Sequence, residues 1–163
     1  MTKNIINTNT LTSKGADKAH CNLFGNFCEL MIRVFLALDE EEFATETSWD
    51  IAFAPSASDV DVGWNMVAVQ AETVTALQPL STNDLLLHRM AGLMSRAVSA
   101  TSIEALQAVR SRAMHCIAQA PMDIVPAVSD VAKEALSSLD QMIEHALVCD
   151  GDDMSARALP LAA

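Results

Sequence analysis

Histidine and cysteine supply zinc ligands, and together they can form a nucleophile and its base. In this chain they stand close together at three places, which are His20 with Cys21, His115 with Cys116, and His145 with Cys149. Adjacent residues on a helix point about 100° apart, so only His145 and Cys149, one helical turn apart, suit a shared ion. No third orienting residue or glycine-rich catalytic motif accompanies them. We therefore predict no catalytic residue, metal or cofactor, and keep a metal protein or enzyme using these neighbours as an alternative.

Acidic and aromatic residues are concentrated in one part of the sequence. All seven aromatic side chains lie between residues 24 and 64, and residues 29 to 84 carry eleven carboxylates against one base, Arg33. Aromatic anchors flanked by carboxylates suit an Arg- or Lys-rich partner, since they combine apolar burial, cation–π contact and steering. A solvated helix end followed by a core tryptophan is the alternative. We predict a partner-binding site, called here the acidic segment, made of Asp39, Glu40, Glu41, Glu42, Phe43, Glu46, Trp49 and Asp50.

The chain also has one cationic stretch. Arg89 and Arg96 lie seven residues apart on the polar side of a predicted helix, and Arg110 and Arg112 follow on the next one. Two interpretations are open for these residues. They form ion pairs with the acidic parts of the chain, or they form a small anion-binding site. Arg89 and Arg96 are the candidate anion-binding residues.

The overall charge and composition restrict the class of partner. The net charge is −11, which disfavours direct binding to nucleic acid or to an anionic membrane and favours a basic protein. Hydrophobic residues make up 51% of the chain, a high share that fits further burial in a homodimer. The sequence therefore predicts a basic protein partner and self-association.

Cysteine usage and apolar runs predict where the protein resides. The four cysteines have no CxxC spacing and are too sparse for a disulfide framework, which favours a reducing compartment. Residues 1–14 are polar and lack the apolar core of a signal peptide. The longest apolar run, residues 30–38, is far below the roughly 20 residues that cross a bilayer. We predict a cytoplasmic protein without a membrane span.

The apolar spacing predicts an all-α, single-domain bundle of about five helices. A flexible arm over residues 1–18 and a frayed tail over 152–163 flank a helical domain over 19–151. The segment 59–77 is ambiguous, because its pattern fits a helix up to Pro79 but also allows a short β-hairpin over 47–69; we favour the helix. The other helices are expected at 22–43, at 83–99, from the Thr101 and Glu104 capping box to Pro121, and at 127–149.

These observations lead to three hypotheses about function. The first is a non-enzymatic adaptor or regulatory protein that binds a basic surface of a partner through the acidic segment, as a homodimer through residues 127–149. The second is an inhibitor that blocks a nucleic-acid-binding protein by presenting carboxylates in place of phosphates. The third is the metal protein or enzyme considered above.

Overall fold

The described part of the protein is a bundle of five α-helices, in agreement with the all-α bundle that the sequence predicts. The computed structural model describes residues 13–46 and 57–156, and the side chains within 23–44 and 60–148. The helices are α1 Ser13–Glu46, α2 Ala57–Ala76, α3 Thr82–Val98, α4 Ile103–Ala118 and α5 Pro126–Ala156. Short connections join α2 to α3 and α3 to α4, which makes these consecutive helices neighbours in space.

The segment that the sequence left ambiguous is helical from Ala57 onward. Val67, Ala71 and Val74 are fully buried on one face of α2, at the spacing that favours a helix. Among the described residues there is no strand, and residues 47–56, where the alternative hairpin would begin, lie outside them. The helix interpretation therefore holds for the described part of this segment.

Both ends of the chain were predicted to be irregular. Residues 1–12 of the predicted arm and 157–163 of the predicted tail lie outside the described residues. α1 begins at Ser13 and α5 continues to Ala156, so each terminal helix extends beyond the stretch of apolar periodicity that predicted it.

One apolar stripe from each helix forms the core. In α1, Phe27, Leu30 and Val34 are completely buried, at the intervals of three and four residues that define one helical face. Phe35 follows Val34 at the edge of this stripe and is 39% exposed. The core of the other helices includes Met90, Met94, Ala113, Ala132 and Leu139, which are all fully buried.

The packing of the helices is uneven around the bundle. Within the described residues, α3 packs against all four other helices, whereas α4 packs only against α3 and α5. One flank of α4 is therefore open beside α3. No helix in the described part of the chain is both long enough and apolar enough to cross a bilayer.

Serine side chains cap the two helices beside that open flank. The Ser81 hydroxyl accepts a hydrogen bond from the backbone N–H of Asp84 at 3.1 Å, and the buried Asp84 carboxylate accepts one from the N–H of Leu80 at 3.1 Å. At α4 the cap is Ser102, which accepts from the N–H of Ala105 at 3.2 Å. The expected capping box, with Thr101 as cap, is thus displaced by one residue.

Candidate functional site

The described part of the acidic segment lies on the last turns of α1. Asp39, Glu40 and Glu42 are exposed, and Phe43 is 50% exposed beside them. Among the described residues no basic side chain forms an ion pair with Asp39, Glu40 or Glu42. Glu46 ends α1, and its side chain lies outside the described ones, as do the residues Trp49 and Asp50. The structure therefore describes the side chains of five of the eight residues of the predicted site.

Glu41 differs from its neighbours in the acidic segment. It is partly buried, and it lines a small cavity of about 170 Å³ together with Trp64, Val98 and Met142. Consecutive residues on a helix point in different directions, so a run of four carboxylates cannot face the solvent as one block. The exposed acidic surface consists of Asp39, Glu40 and Glu42.

Close packing between α1 and α2 occurs beneath these carboxylates. A Cβ atom added at Gly63 would lie 2.8 Å from Oε2 of Glu40 and 3.6 Å from Cβ of Ala37. Glycine at this position lets α2 approach α1 without displacing the Glu40 carboxylate. The position of Glu40 is thus tied to the packing of the two helices.

The carboxylates repel one another along the helix. Asp39 and Glu42 are three residues apart, which is a spacing at which like charges destabilise a helix. α1 also has no basic residue in its last turn. The arrangement therefore lowers helix stability by about 0.2–0.5 kcal/mol for each such pair.

The four arginines of the cationic stretch fall into two groups. Arg110 donates from Nε to the carboxylate of Asp140 on α5, and this partner raises the pKa of the Arg110 guanidinium. Arg89, Arg96 and Arg112 form no ion pair with a described residue. The ion-pair interpretation is thus correct for Arg110. Arg89, Arg96 and Arg112 form no such pair within the described chain.

Arg89 and Arg96 line the same groove, together with Arg112. This groove, which we call the α3–α4 groove, has a volume of about 660 Å³ and lies on the open flank of α4. Among the described residues its lining contains no aspartate or glutamate and comprises Thr75, His88, Arg89, Gly92, Leu93, Arg96, Ser111, Arg112, His115 and Cys116. The volume is within the range of small-molecule sites, about 300–1,000 Å³.

Three residues of the groove, Arg112, His115 and Gly92, were not among the candidate anion-binding residues predicted from the sequence. Arg112 and His115 come from a different helix than Arg89 and Arg96, and their proximity depends on how α4 packs beside α3. Gly92 leaves space in the wall, since a Cβ there would meet only Cγ2 of Thr75, at 3.8 Å. A glycine inside a helix is unfavourable without a packing or functional reason, so its position between Arg89 and Arg96 was a usable signal.

The described members of the histidine and cysteine neighbours lie in different parts of the bundle. His115 and Cys116 line the α3–α4 groove, whereas His145 lies on α5, and the side chains of His20, Cys21 and Cys149 are outside the described ones. Among the described side chains there is no group of three or more potential metal ligands.

Comparisons with known proteins add no relative to these observations: no protein family model, no curated protein and no solved structure matches the chain.

Proposed function

We propose that the protein is a cytoplasmic, non-enzymatic helical adaptor or regulatory protein that binds a basic surface of a partner through the acidic segment. The observation that carries this proposal is the exposure of Asp39, Glu40 and Glu42 around the half-exposed Phe43, with no described basic side chain pairing with these carboxylates. Exposed like charges on one helix end weaken that helix, so a role outside the helix accounts for them. An apolar ring beside carboxylates matches an arginine or lysine side chain.

Charge reversal tests this proposal. The variant Asp39→Lys, Glu40→Lys, Glu42→Lys changes the exposed carboxylates and leaves the partly buried Glu41 in place. A matched control, Asp123→Lys, Glu134→Lys, Glu144→Lys, makes the same change in net charge at exposed positions elsewhere. We use nuclease-treated affinity purification followed by quantitative mass spectrometry. We expect the wild type and the control to retain a basic protein, and the charge-reversal variant to lose it. Equal retention by all three proteins would remove the acidic segment as the binding site.

An inhibitor that replaces nucleic acid on its partner is the second candidate. It shares the exposed carboxylates, but these occupy about one turn of α1, whereas a duplex presents phosphates along an extended path. The captured partner separates the two candidates. Competition between this protein and the partner's nucleic acid supports the inhibitor, and a ternary complex supports the adaptor.

The proposal includes a homodimer, and exposed apolar residues bear on its interface. Along α5, no large apolar side chain is exposed between residues 126 and 146, and Leu147 and Val148 are exposed beyond them. The outer faces of α1 and α2 expose more, namely Ile32, Leu36, Val62, Met66 and Val69. Light scattering on Leu147→Glu and Met66→Glu variants will distinguish the predicted α5 interface from one on α1 and α2. Only the substitution that lies in the true interface should convert the dimer into a monomer.

A further inference from the structure

The α3–α4 groove has the chemistry of a binding site that is separate from the acidic segment. Its charged residues are all basic or imidazole side chains, and they come from two helices that pack side by side. Arg89 and Arg96 are two turns apart on α3, so their Cα atoms are separated by about 10 Å along the helix. Arg112 on α4 adds a third guanidinium to the lining.

Internal hydrogen bonds limit which groups can donate to a ligand. The Thr75 hydroxyl donates to the carbonyl of Glu72 at 3.0 Å, and the Ser111 hydroxyl donates to the carbonyl of Gln107 at 2.9 Å. His88 Nε2 lies 2.9 Å from the carbonyl oxygen of Thr75, which can only accept, so this nitrogen carries the hydrogen. The three arginines and His115 are therefore the lining side chains left to donate to a ligand.

The rest of the groove is apolar. Among the lining residues, Leu93 is buried, Cys116 is partly buried, and Gly92 contributes no side chain to the groove. A purely ionic ligand would leave this surface in contact with water, whereas a ligand with an apolar body would cover it. The combination fits a molecule that is acidic at one end and apolar at the other.

We propose that the α3–α4 groove binds a small amphipathic anion. Arg89, Arg96 and Arg112 hold its carboxylate or phosphate group through charge-assisted hydrogen bonds. The apolar body of the ligand lies against Leu93 and Cys116, in the space left by Gly92.

Calorimetric titration of the full chain with 2-naphthyl phosphate tests the proposal directly. We expect the Arg89→Gln, Arg96→Gln variant to weaken binding by about tenfold or more, since the loss of a single charge-assisted contact already changes affinity by about that factor. Arg110→Gln, Lys133→Gln is the matched control, because it removes the same charge from exposed or half-exposed residues that do not line the groove. Circular dichroism confirms folding in each case. No binding by wild type, or equal binding by both variants, overturns the proposal.

Further controls test the apolar body and the anionic group of the ligand separately. Gly92→Leu keeps all three arginines and places a side chain in the groove, so it should also weaken binding about tenfold. Binding of inorganic phosphate as tight as that of 2-naphthyl phosphate would overturn the apolar half of the proposal, and so would undiminished binding by Gly92→Leu. Comparison with 2-naphthoate identifies the preferred headgroup, and equal affinity for neutral 2-naphthol would overturn the anionic half.

Discussion

Two charged regions of the molecule, the acidic end of α1 and the α3–α4 groove, are built in different ways. The carboxylates of the first follow one another along a single helix, and no basic residue occupies the last turn of that helix. The arginines of the second come from two helices, each of which begins with a serine cap. Local repulsion marks the acidic end in the sequence, whereas the groove arises only when α4 packs beside α3. Charge density along the sequence thus locates the acidic end of α1, whereas it does not show which arginines of the cationic stretch line the same groove.

The largest predicted effect on stability comes from comparing a buried carboxylate, Asp84, with an exposed one, Glu42. Asp84 is 3% exposed and accepts a hydrogen bond from the N–H of Leu80 at the start of α3. We expect Asp84→Ala to lower the free energy of unfolding by about 2 kcal/mol, because the N–H of Leu80 loses its carboxylate acceptor and the buried side chain is removed. Glu42→Ala, at the exposed end of α1, should change it by less than about 0.5 kcal/mol. Urea denaturation followed by circular dichroism measures both.

The conservative variant provides the control for this prediction. Asp84→Asn retains an oxygen that can accept from Leu80 and should therefore recover part of the stability lost in Asp84→Ala. If Asp84→Ala and Glu42→Ala destabilise the protein equally, the contrast between a structural and a surface carboxylate is wrong.

The cap of α4 gives the next largest effect. Ser102→Ala should lower the free energy of unfolding by about 1 kcal/mol, because the N–H of Ala105 loses its acceptor. Thr101→Ala, one residue earlier, should have almost no effect, although the sequence pattern favours Thr101 as the cap. Thermal unfolding of the two variants shows which residue caps the helix. A larger loss of stability in Thr101→Ala than in Ser102→Ala would show that Thr101 is the cap, as the sequence pattern predicts.

The sequence predicted the helices well because each of them buries a stripe at helical spacing. The faces containing Phe27 in α1 and Leu139 in α5 are recognisable without any knowledge of their partners. The edges of these stripes were less certain, as Phe35 illustrates, because exposure there depends on how closely the next helix approaches. Caps were located to within one residue, since Thr101 and Ser102 are chemically similar and backbone geometry chooses between them.

The charged sites were harder to predict, because they also depend on how the neighbouring helices pack. Sequence spacing placed Arg89 and Arg96 on one face, but it gave no means of separating Arg110, which pairs with Asp140 on α5, from Arg112, which lines the groove. These two residues are two positions apart on α4 and therefore face different neighbours. Only the positions of α3 and α5 on either side of α4 decide which arginine is neutralised within the protein.

Two glycines provide a smaller test of the same comparison. Gly92 lies in α3 at the groove, and Gly63 lies in α2 below the acidic end of α1. Gly92→Ala should raise the free energy of unfolding by about 0.5–1 kcal/mol, because alanine favours the helix and its Cβ meets only ordinary contacts. Gly63→Ala should raise it less, since the new Cβ must displace the Glu40 carboxylate. A larger gain at Gly63 than at Gly92, measured by urea denaturation, would contradict the close packing of α1 on α2.

The smallest predicted effect is a pH dependence at the start of α4. The pKa of Glu104 is lowered by a hydrogen bond from its own backbone N–H and by one from the Ser102 hydroxyl. Its pKa is thus lower in the folded than in the unfolded chain. The carboxylate therefore stabilises the fold above the unfolded-state pKa, and this contribution disappears as the pH falls through the folded-state pKa. Full exposure of Glu104 keeps the contribution small, so the pKa itself is the quantity to measure.

Carboxyl carbon NMR titration of wild type, Ser102→Ala and Thr101→Ala measures the pKa of Glu104. Ser102→Ala should move it part of the way back towards the ordinary glutamate value, because the backbone hydrogen bond remains. Thr101→Ala should leave it at the wild-type value. If removal of the Ser102 hydroxyl does not raise the pKa, the serine cap does not support Glu104. The contrast between the capped start of α4 and the acidic end of α1 would then be lost at this position.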